Sequence, residues 1–240
     1  MLVGQHMRTG VGNNSHTTYL IQSDTTNGST VFADTGRGGI DHSANIATEG
    51  NPAHSTAQKK FGATSINLPA AADCLTNPLH ADWDFAVLRE WTVDLWARLT
   101  DVTTGNRTIA LSVGHPGAKY DNQWTFWASA DVFKVGINRA TAGRVAVAGA
   151  IGLFANTWYH LVIQRRQEGT IQSYVDGVPD GRFLNVPILP DLVAQNNGLR
   201  IGSCVPASSF SMVGFLDEFR ITKGSTVYPW GGFTPPNRMH

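Results

Sequence analysis

Apolar and polar residues alternate with period two along much of the chain, and long stretches with helical spacing are absent. In Trp91-Thr92-Val93-Asp94-Leu95-Trp96-Ala97-Arg98-Leu99 the odd positions share one face and the even positions the other, which predicts a half-buried strand. Trp158 to Arg165 reads as a second strand, followed by Glu168-Gly169, a resumption at Ile171 to Val175, and then Asp176-Gly177. Those Gly-containing pairs are turn chemistry, so the segment predicts a hairpin and a further tight turn. Other strands are expected at 17–22, 64–68, 107–113, 123–128, 132–138, 144–149, 198–202 and 213–222, with long loops at 34–60, 114–122 and 184–197. Many short strands without helical crossovers predict an all-β, antiparallel two-sheet sandwich.

Composition agrees with this pattern. In 240 residues, 42% are hydrophobic, 15% are charged and 25 are Gly; this is enough to fill a core, excludes disorder, and suits turns better than helix bundles. Eighteen basic and eighteen acidic residues cancel, so the long-range field that gathers nucleic acid or anionic membrane is missing. The first residues hold no apolar run of the length an export signal needs, and no run is long enough to span a bilayer. Cys74 and Cys204 lack metal-ligand spacing; two buried thiols or one disulfide are both open readings. One domain is expected over 17–230, preceded by an arm at 1–16 and followed by a tail at 231–240.

Three segments carry a resemblance. The first runs from Tyr19 through Asp24, Gly28-Ser29-Thr30 and Asp34 to Lys60-Phe61-Gly62. The second is Thr157-Trp158-Tyr159-His160 with Arg165, Gly169 and Tyr174-Val175-Asp176-Gly177. The third is Gly214-Phe215-Leu216-Asp217-Glu218-Phe219-Arg220-Ile221-Thr222-Lys223-Gly224, then Tyr228 and Phe233-Thr234-Pro235-Pro236. Together, in order, they resemble the laminin-G-like, concanavalin-A-like jelly-roll domain in the version common in bacteriophage virion and tail proteins. The resemblance implies a jelly-roll sandwich and, in some relatives, a structural calcium ion. One departure is Asp34-Thr35-Gly36-Arg37, where the family's neutral residue is replaced by Arg37.

Simple alternation places Asp217 beside Phe215, Phe219 and Ile221, so its carboxylate needs compensation. Asp24, Asp34 and Asp217 are one answer, as oxygen ligands for the implied calcium. Backbone N–H donors, or pairing with Arg37 or Arg220, are the other. Tyr120, Asp121, Asn122, Trp124 and Trp127 form an aromatic-polar segment able to stack on and hydrogen-bond a glycan, although Trp124 and Phe126 equally suit a core. Trp96 with Asp94 and Arg98, and Trp83 with Asp82 and Asp84, are lesser clusters of the same kind. Tyr228 and Trp230 read as a packing or intersubunit element. The eight His stand singly, and none is assigned as a ligand.

Catalysis is not expected. The chain has four Glu, none with the spacing of a sandwich glycosidase, and Asp217 and Glu218 are adjacent. Nucleophile elbows and phosphate loops are also lacking. The expected function is therefore that of a bacteriophage virion structural protein, as a head decoration, fibre or tail-surface module, assembled in the host cytoplasm. Its expected partners are other virion proteins, glycans and further copies of itself in a homo-oligomer, with residues 1–16 as the attachment segment. A free carbohydrate-binding lectin and a purely architectural virion protein are the alternatives.

Overall fold

The computed structural model describes residues 14–78, 80–83, 85, 90–113, 122–139, 143–183, 198–202 and 211–237. Fifteen strands run in order: β1 (Thr17–Ile21), β2 (Ala47–Glu49), β3 (Ala53–Ser55), β4 (Ser65–Leu68), β5 (Cys74–Asn77), β6 (Trp91–Leu99), β7 (Arg107–Val113), β8 (Asn122–Ser129), β9 (Val132–Arg139), β10 (Gly143–Gly152), β11 (Trp158–Arg165), β12 (Ile171–Val175), β13 (Val178–Phe183), β14 (Gly198–Ile201) and β15 (Gly214–Lys223). Single 3-10 turns at Ser43–Asn45 and Ala81–Trp83 are the only helical pieces among the described residues.

The strands form two antiparallel sheets. One runs β13-β12-β11-β6-β15-β4-β3, with β1 also paired to β15; the other runs β10-β9-β8-β7-β14-β5-β2. This is the all-β sandwich that the alternation predicts. Its two short strands β2 and β3 fall inside the segment expected to be one long loop, where Ala47–Glu49 pairs with β5 and Ala53–Ser55 with β4.

Between the sheets lies one continuous core. Trp91, Val93, Leu95, Ala97 and Leu99 enter it from β6, and Trp124, Phe126 and Ala128 from β8, as period-two alternation requires. Phe85 stacks on both Trp91 (4.6 Å) and Trp124 (5.6 Å), so the aromatics of the two sheets interlock through it. On one flank the sheets are tied by Asp180 of β13, whose Oδ1 accepts the N–H groups of Ala150 (2.7 Å) and Ile151 (2.8 Å) of β10.

The turn after β12 has the expected chemistry: Asp176 and Gly177 both take positive φ, at 50° and 77°. Two such residues in succession match the twist of the flanking strands, which is why Asp-Gly is favoured there.

A bulge in β15 changes the face of Asp217. Asp217 pairs with Trp96 but Arg220 pairs with Asp94, so Glu218 and Phe219 together oppose Leu95, and Glu218 has φ 53°. Leu216, Phe219 and Ile221 enter the core. Asp217 and Arg220 therefore lie on the opposite, outer face, and the expectation that Asp217 sits beside Phe219 and Ile221 is corrected. Beyond the bulge β15 also changes partners: Gly214 to Leu216 pair with β4, and Phe219 to Thr222 with β1.

Candidate functional site

The outer face of β6, β11 and β15 is buried, contrary to the half-buried strand expected at 91–99. Asp94 is 0% and Arg220 1% exposed. Residues 225–233 cover them. Val227 N–H donates to Thr92 Oγ1 (3.1 Å), Tyr228 N–H to Gln164 Oε1 (3.2 Å), and Phe233 N–H to the Gly177 carbonyl (3.0 Å). Gln164 Nε2 returns bonds to the Tyr228 carbonyl and the Tyr174 hydroxyl, both at 3.0 Å. Tyr228 and Phe233 stack at 4.0 Å above His160, while Val162, Tyr174 and Tyr228 form a small second core. Trp230 takes the Arg166 guanidinium over its ring at 4.2 Å. The packing version of the Tyr228 and Trp230 expectation is thus what this chain folds into.

Under that cover Arg220 grips Asp94 with two parallel bonds, Nε to Oδ1 (2.9 Å) and Nη2 to Oδ2. The Tyr228 hydroxyl donates to Asp94 Oδ2, accepts from Arg220 Nη2 (2.9 Å), and lies 3.4 Å from His160 Nε2. Burial alone would favour loss of the Arg220 proton, but the Asp94 carboxylate, Tyr228 and Glu218 together outweigh it and hold the guanidinium charged. Burial and the Asp94 charge push the Tyr228 phenol far up, so it stays a donor. A bidentate pair with its lone pairs used in this way can sit in a dry interior. Alternation alone does not reveal this network, because its members come from three strands and the C-terminal segment.

The implied calcium ligands are compensated by backbone donors. Asp34 Oδ1 accepts from Leu20 N (2.9 Å) and Gly36 N (2.8 Å), and its Oδ2 from His42 N (3.2 Å). Asp24 Oδ1 accepts from Ala63 N (2.7 Å). Asp217 Oδ2 accepts from Lys60 N (3.2 Å) and Phe61 N (3.1 Å). Among the described residues these three carboxylates do not converge into a common ligand group. The donor set does not fit calcium shared by all three, because each carboxylate clamps its own loop and the three do not meet at one point among the described residues. Arg220 is committed to Asp94, so it is not the partner of Asp217 either.

Burial raises the Asp34 carboxyl despite its backbone donors. For Asp217 burial dominates, opposed by the Phe61 N–H and reinforced by Glu218, and pushes the carboxyl up to about 7. Its clamp folds Lys60 and Phe61 over Trp96: Lys60 Nζ lies 3.8 Å from a Trp96 ring centroid, and the Phe61 ring stands edge-on at 5.7 Å. Trp96, expected on an exposed face with Asp94 and Arg98, is 4% exposed.

For the aromatic segment, Tyr120 and Asp121 lie outside the described residues, and Asn122 opens β8. Trp124 is 1% exposed and donates its indole N–H to the Trp83 carbonyl (3.3 Å); with both faces packed, its expected stacking role is corrected to a core role. Trp127 is on the other face of β8 and also buried, at 8% exposure. Trp83 is wholly buried among core residues, and Asp84 lies outside the described residues. Cys74 is a buried free thiol, which burial pushes up to about 11, and Cys204 lies outside the described residues.

The strands β7, β8 and β14 meet at one edge of the second sheet. Val113, at the end of β7, pairs with both Asn122 and Gly198, the first residues of β8 and β14.

No curated protein sequence matches the chain. Among solved structures, the binding domain of botulinum neurotoxin serotype G superposes with TM-score 0.63 at 9% identity, over 88% of this chain and 49% of that one. The serotype D binding domain gives 0.62 at 12%, over 87% and 48%. The binding domain of botulinum neurotoxin DC in complex with SialylT gives 0.61 at 12%, over 86% and 47%. The chain thus spans about half the length of each of these structures, and at such identities the likeness is one of fold. A family model, Laminin_G_3 of the concanavalin A-like lectin/glucanases, matches residues 74–226. That match covers more than half of the sequence, from the start of β5 to just past the end of β15, and the chain accordingly belongs to the concanavalin A-like lectin/glucanases superfamily.

Proposed function

We propose that the chain is a non-catalytic display domain of a bacteriophage virion, a head decoration, fibre or tail-surface module that holds glycans at the rim of its second sheet. The observation that carries the reading is the use made of the phage-type ending. Asp217 clamps the Lys60-Phe61 segment, Arg220 and Tyr228 lock onto Asp94, and Phe233 closes the cover. The residues that resemble the virion-protein version thus each fasten another segment to the outer face of the first sheet.

Glycan binding is supported by the superfamily and by the fold shared with toxin binding domains, one of them solved with SialylT. Since Trp124 and Trp96 are packed away, the stacking and hydroxyl-binding groups of this reading are Tyr120, Asp121 and Asn122, the first two of which lie outside the described residues. Flat rings and paired polar groups are what a sugar face and its hydroxyls require.

Two experiments test the proposal. Mass spectrometry of purified particles should find this polypeptide; its presence only as free protein would leave the lectin alternative. A glycan array should give hits that Tyr120→Ala and Asp121→Ala abolish, and no binding at millimolar glycan would reduce the protein to architecture.

A further inference from the structure

We propose that His42, His80 and Asp82 form a binding site for one divalent transition-metal ion, with zinc as the ion the donor set fits best. The three side chains each offer a ligand atom, and all of these atoms lie within 4.8 Å of one another. His42 Nε2 is 2.8 Å and His80 Nδ1 3.3 Å from the same oxygen, Asp82 Oδ2. Ligand atoms about 2.0–2.1 Å from a tetrahedral zinc stand roughly 3.3 Å apart, so little movement is needed to admit the ion. Two imidazoles and one carboxylate select such a metal over calcium, which takes oxygen ligands.

The site is built rather than incidental. His42 is held in a loop whose backbone N–H is fixed by Asp34 Oδ2 (3.2 Å), and its side chain is only 2% exposed. Tyr19 and Trp83 wall its ring, with centroids at 5.8 and 4.8 Å, and His80 meets it edge-on at 4.5 Å. Lys223, the cation of the neighbouring strand end, is engaged by the Ala81 carbonyl.

Asp82 Oδ2 gathers both rings: His42 Nε2 meets it at 2.8 Å, and His80 Nδ1, which also accepts the Asp82 N–H at 3.1 Å, lies 3.3 Å away. Taking up the ion would turn the His80 Nδ1 lone pair from that N–H to the metal and require the His42 Nε2 lone pair to be free of its proton, so binding releases protons. The ion would staple the 34–46 loop to the Ala81–Trp83 turn, with its remaining coordination position open to water or to a carboxylate of another molecule.

The test uses the full chain, stripped with chelator and titrated with Zn²⁺ by calorimetry and with Co²⁺ by visible absorption. One ion per chain is expected, with a Co²⁺ d–d band showing nitrogen ligation and no competition from excess Ca²⁺. At a hundredfold excess over Kd, Zn²⁺ should raise the melting temperature by roughly 5–10 °C. His80→Ala, at a side chain that is 33% exposed, should cut affinity at least about tenfold while far-UV circular dichroism stays unchanged. Should that variant not fold, Asp82→Asn decides in its place. Absence of a Co²⁺ band in the wild type, or Zn²⁺ binding unaltered in the folded variant, overturns the proposal.

Discussion

Replacing Asp217 with Asn should stabilise the protein, and more so as the pH rises. The carboxyl is pushed from 3.8 to about 7, chiefly by burial. Between those values the folded state keeps a proton that the unfolded chain releases. Stability from this group is therefore complete below about pH 3.8 and is lost as the pH climbs toward 7. About three pH units at 1.36 kcal/mol each give a loss of roughly 4 kcal/mol. Both N–H groups that Asp217 clamps, those of Lys60 and Phe61, go to a single oxygen. An Asn carbonyl can accept both, so the clamp survives while the ionisation cost disappears. Urea unfolding of wild type and Asp217→Asn from pH 4 to 8 measures the difference. It should be near zero at pH 4 and reach about 3–4 kcal/mol in favour of Asn at pH 8. A difference that stays flat across the range, or an Asn variant weaker than wild type at pH 8, would refute the reasoning.

Other expectations follow from the same contacts. Tyr228→Phe removes a hydroxyl shared by Asp94 and Arg220; bonds to charged groups are worth about 1.5–3 kcal/mol, and chemical denaturation should show a loss of that size. Gly177→Ala adds a Cβ 1.9 Å from the Phe233 carbonyl oxygen at a φ of 77°, and should cost more than about 1 kcal/mol by the same assay. Because Asp24, Asp34 and Asp217 are each met by backbone donors, calcium added to a chelator-stripped sample should leave the melting temperature unmoved in a thermal scan. A rise with calcium would restore a shared site.

Alternation was a sound guide wherever a strand is regular. Trp91 to Leu99 sends its odd residues into the core as read, and Asp176-Gly177 turns as its residue types demand. It failed at Asp217, because the bulge at Glu218 shifts the period by one and carries no marker in the residue types; a non-glycine at positive φ is not something composition reveals. It also failed for burial. Trp96 and Asp94 alternate outward as expected, yet Lys60 and Phe61 cover the first and a segment more than 120 residues later in the chain covers the second, and the pattern within a strand holds no record of what lies on top. The site suffers the same limit. His42 and His80 are far apart in sequence and stand singly, so only the meeting of the 34–46 loop with the Ala81–Trp83 turn reveals them as neighbours. Trp83 and Trp124 sit among polar residues and look available to ligand; the core claims both.

The segment from Gly214 to Phe233 serves as an internal fastener of the first sheet. Ending the chain after Gly224 tests this most directly, by removing the cover over Asp94, Val162, His160 and Tyr174. The truncated protein should bind the hydrophobic dye ANS and lose cooperative urea unfolding, since a buried ion pair and a small apolar core become bare together. A truncated chain that unfolds at the wild-type urea midpoint and leaves ANS dark would contradict it.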